Sequence, residues 1–92
     1  MMLASQFNEM RVYAAGMKMI GKVKDQVIDP HGYALTDLVV RLGKESARRI
    51  FGKRFALRGT SVRVPVSAVE KIGDGVILQY TVDQLEQHIQ KI

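Results

Sequence analysis

Asp29-Pro30-His31-Gly32 is the feature that most narrows what this chain can fold into. Proline presets φ at the second turn position and glycine tolerates positive φ, so the tetrapeptide reverses the chain. Side chains alternate on both sides of it. From Ile20 to Asp29, Val23 and Val27 share a parity with Asp25 and Asp29, while Lys22, Lys24 and Gln26 take the other. From Tyr33 to Leu42, Ala34, Thr36, Leu38, Val40 and Leu42 alternate with Tyr33, Leu35, Asp37, Val39 and Arg41. A two-residue period on either side of a tight turn predicts a β-hairpin with one face buried and the other partly covered.

The remaining segments extend that theme. A first strand is expected over Met10 to Ala15, broken by Gly16. Val62, Val64 and Val66 alternate with Arg63 and Pro65, and proline, which lacks the N–H of an internal ladder, marks an edge or a barrel corner. A bent strand over Arg54 to Leu57 and a turn at Arg58-Gly59-Thr60 lead into that element, and Asp74-Gly75 reverses the chain into a last strand, Val76 to Tyr80. The helical signals are short. Ala47, Ile50 and Phe51 recur at i, i+3 and i+4 within Lys44 to Phe51, with Gly52 placed to end a helix. Ser67-Ala68-Val69-Glu70 and Thr81-Val82-Asp83-Gln84 both fit the capping-box pattern. The second box opens a C-terminal helix, about 82–91, whose Val82, Leu85, Ile89 and Ile92 form a narrow stripe. Either the barrel's open end or the same helix of another copy would cover that stripe.

These elements predict a mainly β fold: a small closed antiparallel barrel of about six strands with short helical turns and a C-terminal helix. Closure removes exposed edges, and Gly16, Gly21 and Gly32 permit the bends it demands. Ninety-two residues allow one domain, 1–92, with the barrel core at about 9–80. With 47% apolar and 25% charged residues the chain lies well away from disordered compositions. No apolar run exceeds four residues, so no spanning or signal segment is expected. The absence of cysteine excludes disulfides, thiolate metal sites and thiol nucleophiles, and points to a cytoplasmic location.

Catalytic patterns are not found. His31 and His88 have no partner at ligand spacing, and Asp25, Asp29 and Asp37 read as solvated hairpin charges. Gly43-Lys44-Glu45-Ser46 is not a phosphate loop, because position 38 is leucine where that motif needs glycine. Gly73-Asp74-Gly75 leads into a strand and lacks the third glycine of a dinucleotide fingerprint. Ser46, Ser61 and Ser67 have no glycine elbow. The expectation is a non-enzyme without metal or cofactor.

Charge is the more informative signal. Net charge is +5, yet the 23 residues from Arg41 to Arg63 hold eight basic residues and one acid, Glu45. Within the segment 43–58, Lys44, Arg48, Arg49, Lys53, Arg54 and Arg58 are the candidate partner-binding residues. An anionic partner such as nucleic acid, an acidic protein or a lipid surface would suit this belt, and so would plain solvation. Phe51 and Phe55 read as core anchors rather than stacking platforms, given their spacing with Ala47 and Ile50.

The order of short motifs adds a resemblance. Gly21-Lys22-Val23-Lys24-Asp25, Ile28-Asp29-Pro30-His31-Gly32, Leu38-Val39-Val40, Val64-Pro65 and Ile72-Gly73-Asp74-Gly75-Val76-Ile77-Leu78 follow one another as in the PRC-barrel family. The chain resembles that family over roughly Glu9 to Tyr80. It looks most like the stand-alone archaeal members, some of them adaptors in cell division. It is more distantly similar to the cytoplasmic domain of the photosynthetic reaction centre H subunit and the C-terminal domain of the ribosome maturation factor RimM. The resemblance implies a six-stranded barrel acting as a non-catalytic protein-interaction adaptor, with a homodimer and an RNA- or ribosome-associated role as further expectations. The basic insert 43–58 is not part of the common motif.

Overall fold

The computed structural model describes residues 8–52 and 60–91. Among them a single mixed sheet contains β1 (Arg11–Ala14), β2 (Lys18–Ile28), β3 (Leu35–Leu42), β4 (Thr60–Pro65), β5 (Val69–Ile72), β6 (Val76–Leu78) and the two-residue β7 (Gln90–Lys91), in the order β5-β6-β1-β2-β3-β4-β7. Helix α1 (Lys44–Phe51) follows β3, a 3-10 turn (Val66–Ala68) follows β4, and helix α2 (Val82–Leu85) follows β6. The mainly β expectation holds, but the closed antiparallel barrel does not. The sheet curls into a half-barrel that leaves β5 and β7 as edges, and β6 lies parallel to β1.

The physical reason is visible in the core. Val12, Ala14, Ile20, Val23, Leu38, Val40, Leu42, Val62, Val64, Val76 and Leu78 line the inner face of the sheet. What covers them is helical rather than further strand: Ala47 and Ile50 of α1, Val82 and Leu85 of α2, and Ile89 are buried in the same cluster. Two short amphipathic helices thus occupy the space that opposing strands would take in a closed barrel. The Val82, Leu85 and Ile89 stripe is therefore spent within its own chain and is not left for a second copy; Ile92 lies outside the described residues.

Local signals fare unevenly. The helix Lys44–Phe51 forms over the expected residues, and Gly52 ends it at φ 97°, with its N–H donated to the Arg48 carbonyl. At the second capping box, Gln84 Oε1 accepts the Thr81 N–H at 3.0 Å, and α2 starts there. That helix spans only Val82–Leu85, short of the expected 82–91, because Gln90 and Lys91 leave it to pair with β4. At the Ser67 box the expected short helical turn is a single 3-10 turn, Val66–Ala68, which starts after Pro65 rather than Ser67, and Val69–Ile72 then pairs with β6. Val66 is exposed rather than a third buried valine, and the strand expected over Val76 to Tyr80 ends at Leu78 and is not the last, since β7 follows it. The expected Arg54–Leu57 strand, the turn start at Arg58-Gly59 and Phe55 lie outside the described residues.

In the β2–β3 turn, Asp29 does the closing. Its Oδ1 accepts the His31 N–H at 3.0 Å, and its carbonyl accepts the Tyr33 N–H at 2.7 Å. The positive φ falls on Tyr33, at 57°, and not on Gly32. β2, eleven residues long, pairs with both β1 and β3, and irregular registers at Val12/Tyr13, Val23/Asp25 and Val27/Ile28 let it bend. Gly21 sits in that bend opposite Val12 and Leu42, where a Cβ would run into the Arg41 carbonyl oxygen.

Two substitutions separate this contact from ordinary glycine flexibility. Gly21→Ala is expected to cost about 1–3 kcal/mol of unfolding free energy, as overpacking does in a tight site. Gly73→Ala, with nothing within 4 Å of the new methyl, is expected to leave stability unchanged within about 0.5 kcal/mol. Urea unfolding of both variants checks the contrast.

Candidate interaction surface

Helix α1 displays the first half of the predicted basic set. Its period places Ala47 and Ile50 in the core with Phe51 half-buried against it, which turns Lys44, Arg48 and Arg49 to solvent. Arg48 and Arg49 sit in the last turn and Glu45 in the first, each complementing the helix dipole. Lys44 and Arg48, one turn apart, are like charges on one flank, a spacing that costs a few tenths of a kcal/mol. Lys53, Arg54 and Arg58 lie outside the described residues.

The belt that looks continuous along the chain is divided in space. Arg41 is on β3 and points to the outer face of the sheet, away from the core-facing Val40 and Leu42. Arg63, on β4, is committed to an ion pair: its Nη2 lies 3.3 Å from Asp37 Oδ2. Between Arg41 and Arg63, the three cations of α1 belong to the helical layer on the inner side of the sheet.

Arg41 acquires different neighbours, which linear reading missed. Strand register sets Arg11 opposite Lys22, and Lys22 opposite Arg41, so three cations stand side by side across β1, β2 and β3. All three are exposed, as is Lys24 beside them. A second row runs parallel: Ile77 of β6 is opposite Tyr13 of β1, and Tyr13 is opposite Met19 of β2. A groove of about 430 Å³ includes Glu9, Met19, Lys22, Lys24 and Arg41, and another of about 480 Å³ includes Arg11, Tyr13, Met17, Lys71, Asp74 and Ile77. Only the alternation of Lys22 and Lys24 around buried Val23 hinted at this face from sequence.

The residues weighed for chemistry have structural surroundings. His88 stacks on Tyr80 with ring centroids 3.6 Å apart and planes 2° from parallel. His31 is exposed in the turn that Asp29 closes, Asp25 is exposed, and Asp37 holds Arg63. No three His, Asp or Glu side chains converge among the described residues. No helix among them is long and apolar enough to cross a membrane.

In comparison with known proteins, a family model described as PRC-barrel domain matches residues 1–85. No curated protein matches the chain. The assignment of Arg63 to an ion pair can be checked separately. Arg63 is 42% and Asp37 19% exposed in their side chains, so Asp37→Asn is expected to lower stability by less than about 1 kcal/mol in thermal unfolding.

Proposed function

Because the chain belongs to the PRC-barrel domain family, we propose that it is a non-catalytic protein-interaction adaptor. One observation carries this reading: the model of a domain type often used in protein interactions matches residues 1–85. Here the inner side of the sheet is filled by aliphatic side chains and the polar groups lie outside. The half-barrel also leaves β5 as an edge, with Glu70, Lys71 and Ile72 exposed along it, a place where another chain can extend the sheet.

Lys44, Arg48 and Arg49 of α1 supply electrostatic steering in this reading, with Lys53, Arg54 and Arg58 following them in the sequence. The finer form of the proposal is a cytoplasmic, homodimeric adaptor in archaeal cell division, supported by the resemblance to archaeal members of the family. An RNA- or ribosome-associated role is the competing outcome of the same experiment.

That experiment is affinity capture of the tagged protein from its native lysate, with and without nuclease. The adaptor reading expects the same few proteins in both halves. Ribosomal proteins recovered only without nuclease would replace it with an RNA-contacting role. Changing Lys44, Arg48 and Arg49 to glutamine is expected to reduce recovery several-fold at low salt and little at high salt, because steering is screened over about 10 Å at 0.1 M. The unfolding temperature should stay within a few degrees, roughly the effect of surface substitutions on a domain of this size.

A further inference from the structure

Like charges placed directly opposite one another in neighbouring strands destabilise a sheet. Arg11, Lys22 and Arg41 form such a row across three strands, at backbone spacings of about 4.8 Å, with Lys24 alongside. None of the four makes an ion pair: among the described residues the pair formed is Arg63 with Asp37. Residues 1–7, 53–59 and 92 contain no acidic side chain that could neutralise the row. Three acids flank it: Glu9 lines one groove, Asp74 lines the other, and Asp25 is exposed next to Lys24, its Oδ1 accepting the Gln26 N–H at 2.8 Å, so that four cations face three acids, none of them paired with the row. The face therefore holds a standing excess of positive charge that the fold itself does not use.

Next to that charge lies the apolar row of Ile77, Tyr13 and Met19, continued by Met17, which is 61% exposed. The juxtaposition selects among anionic partners. Single-stranded nucleic acid needs aromatic faces for its bases, and thioether and aliphatic side chains offer none. The one ring in the row, Tyr13, is half-buried and packed across Gly75, where a Cβ would come within 2.9 Å of it. Methionine and isoleucine instead suit apolar side chains of varied shape.

We propose that this outer face docks a polypeptide segment carrying acidic and apolar side chains together. Its carboxylates lie on Arg11, Lys22, Lys24 and Arg41, the two arginines offering two-pronged hydrogen bonds, and its apolar side chains lie on Ile77, Tyr13 and Met19. The inference rests on the adaptor reading and names the chemistry of the partner it would recognise.

Fluorescence anisotropy of the purified protein with three labelled probes tests it: a short peptide of glutamate and leucine, its glutamate and serine counterpart, and an oligouridine of matched charge. The glutamate–leucine peptide is expected to bind most tightly, and the serine peptide several-fold less. Changing Arg11, Lys22 and Arg41 together to glutamine should weaken its binding at least about tenfold, since three charge-assisted contacts are lost, while the Lys44, Arg48 and Arg49 triple variant, which removes steering alone, weakens it by no more than the several-fold expected at low salt. The sheet variant should melt no lower than the parent, because a repulsive row has been relieved, and this separates lost binding from lost fold. Equal weakening by the two triple variants, tighter binding of oligouridine, or no binding of the peptide would overturn the proposal. Lysate partners that survive nuclease and are captured undiminished by the sheet variant would overturn it too, while leaving the adaptor reading intact.

Discussion

The sheet is organised around one close approach, the backbone of Gly21 against the carbonyl of Arg41. Position 21 is paired on both sides, with Val12 and with Leu42, so a side chain there would push β2 away from β3. The same register decides what each face carries. With Gly21 inward between Val12 and Leu42, Lys22 must turn outward between Arg11 and Arg41. A slip by one residue would exchange the two faces, burying the cations and exposing the valines. Core and charged surface are thus two sides of a single pairing decision.

The helical layer completes the arrangement. A half-barrel of short strands has an exposed inner face, and α1 and α2 cover it with Ala47, Ile50, Val82 and Leu85. This coverage lets the sheet remain open, which in turn leaves β5 and the outer rows available. It also sets the spatial division of the charge: the helix orients Lys44, Arg48 and Arg49 on one layer while Arg41 faces the other way.

How much of this was legible depended on distance along the chain. The turn at Asp29, the helix Lys44–Phe51 and the Thr81–Gln84 cap are decided within a few residues, and the sequence pattern placed them correctly. The Ser67 box has the same local pattern as the Thr81 box. Val69 to Ile72 nevertheless finds a strand partner in β6, whereas Val82 and Leu85 find a core, and nothing local distinguishes the two outcomes. Closure and strand direction were beyond reach for a related reason. Parallel pairing of β6 with β1 joins Val12 to Val76, residues that no short-range periodicity connects. The layout of charge was out of reach along the same line: Arg41 and Lys44, three residues apart, are on different layers, while Arg11, Lys22 and Arg41 meet only through register. The family motifs reached further where they mark a turn or a close approach. Gly21, Asp29 and Gly75 all occupy positions where backbone meets backbone or ring.

The parallel pair also orders events in time. β1 is made before every other strand of the sheet, yet the strand that covers one of its sides, Val76–Leu78, follows only after β2, β3, β4 and β5. Until then the nascent sheet can extend only from β1 through β2 and β3 to β4, with one flank of β1 bare. Contacts this remote along the chain slow folding, and an uncovered strand invites pairing with a neighbouring chain. The late arrival of β6, held by Val76 and Leu78 in the core and by the Ala15 N–H donated to the Tyr80 carbonyl at 2.8 Å, is the step that covers the bare flank of β1.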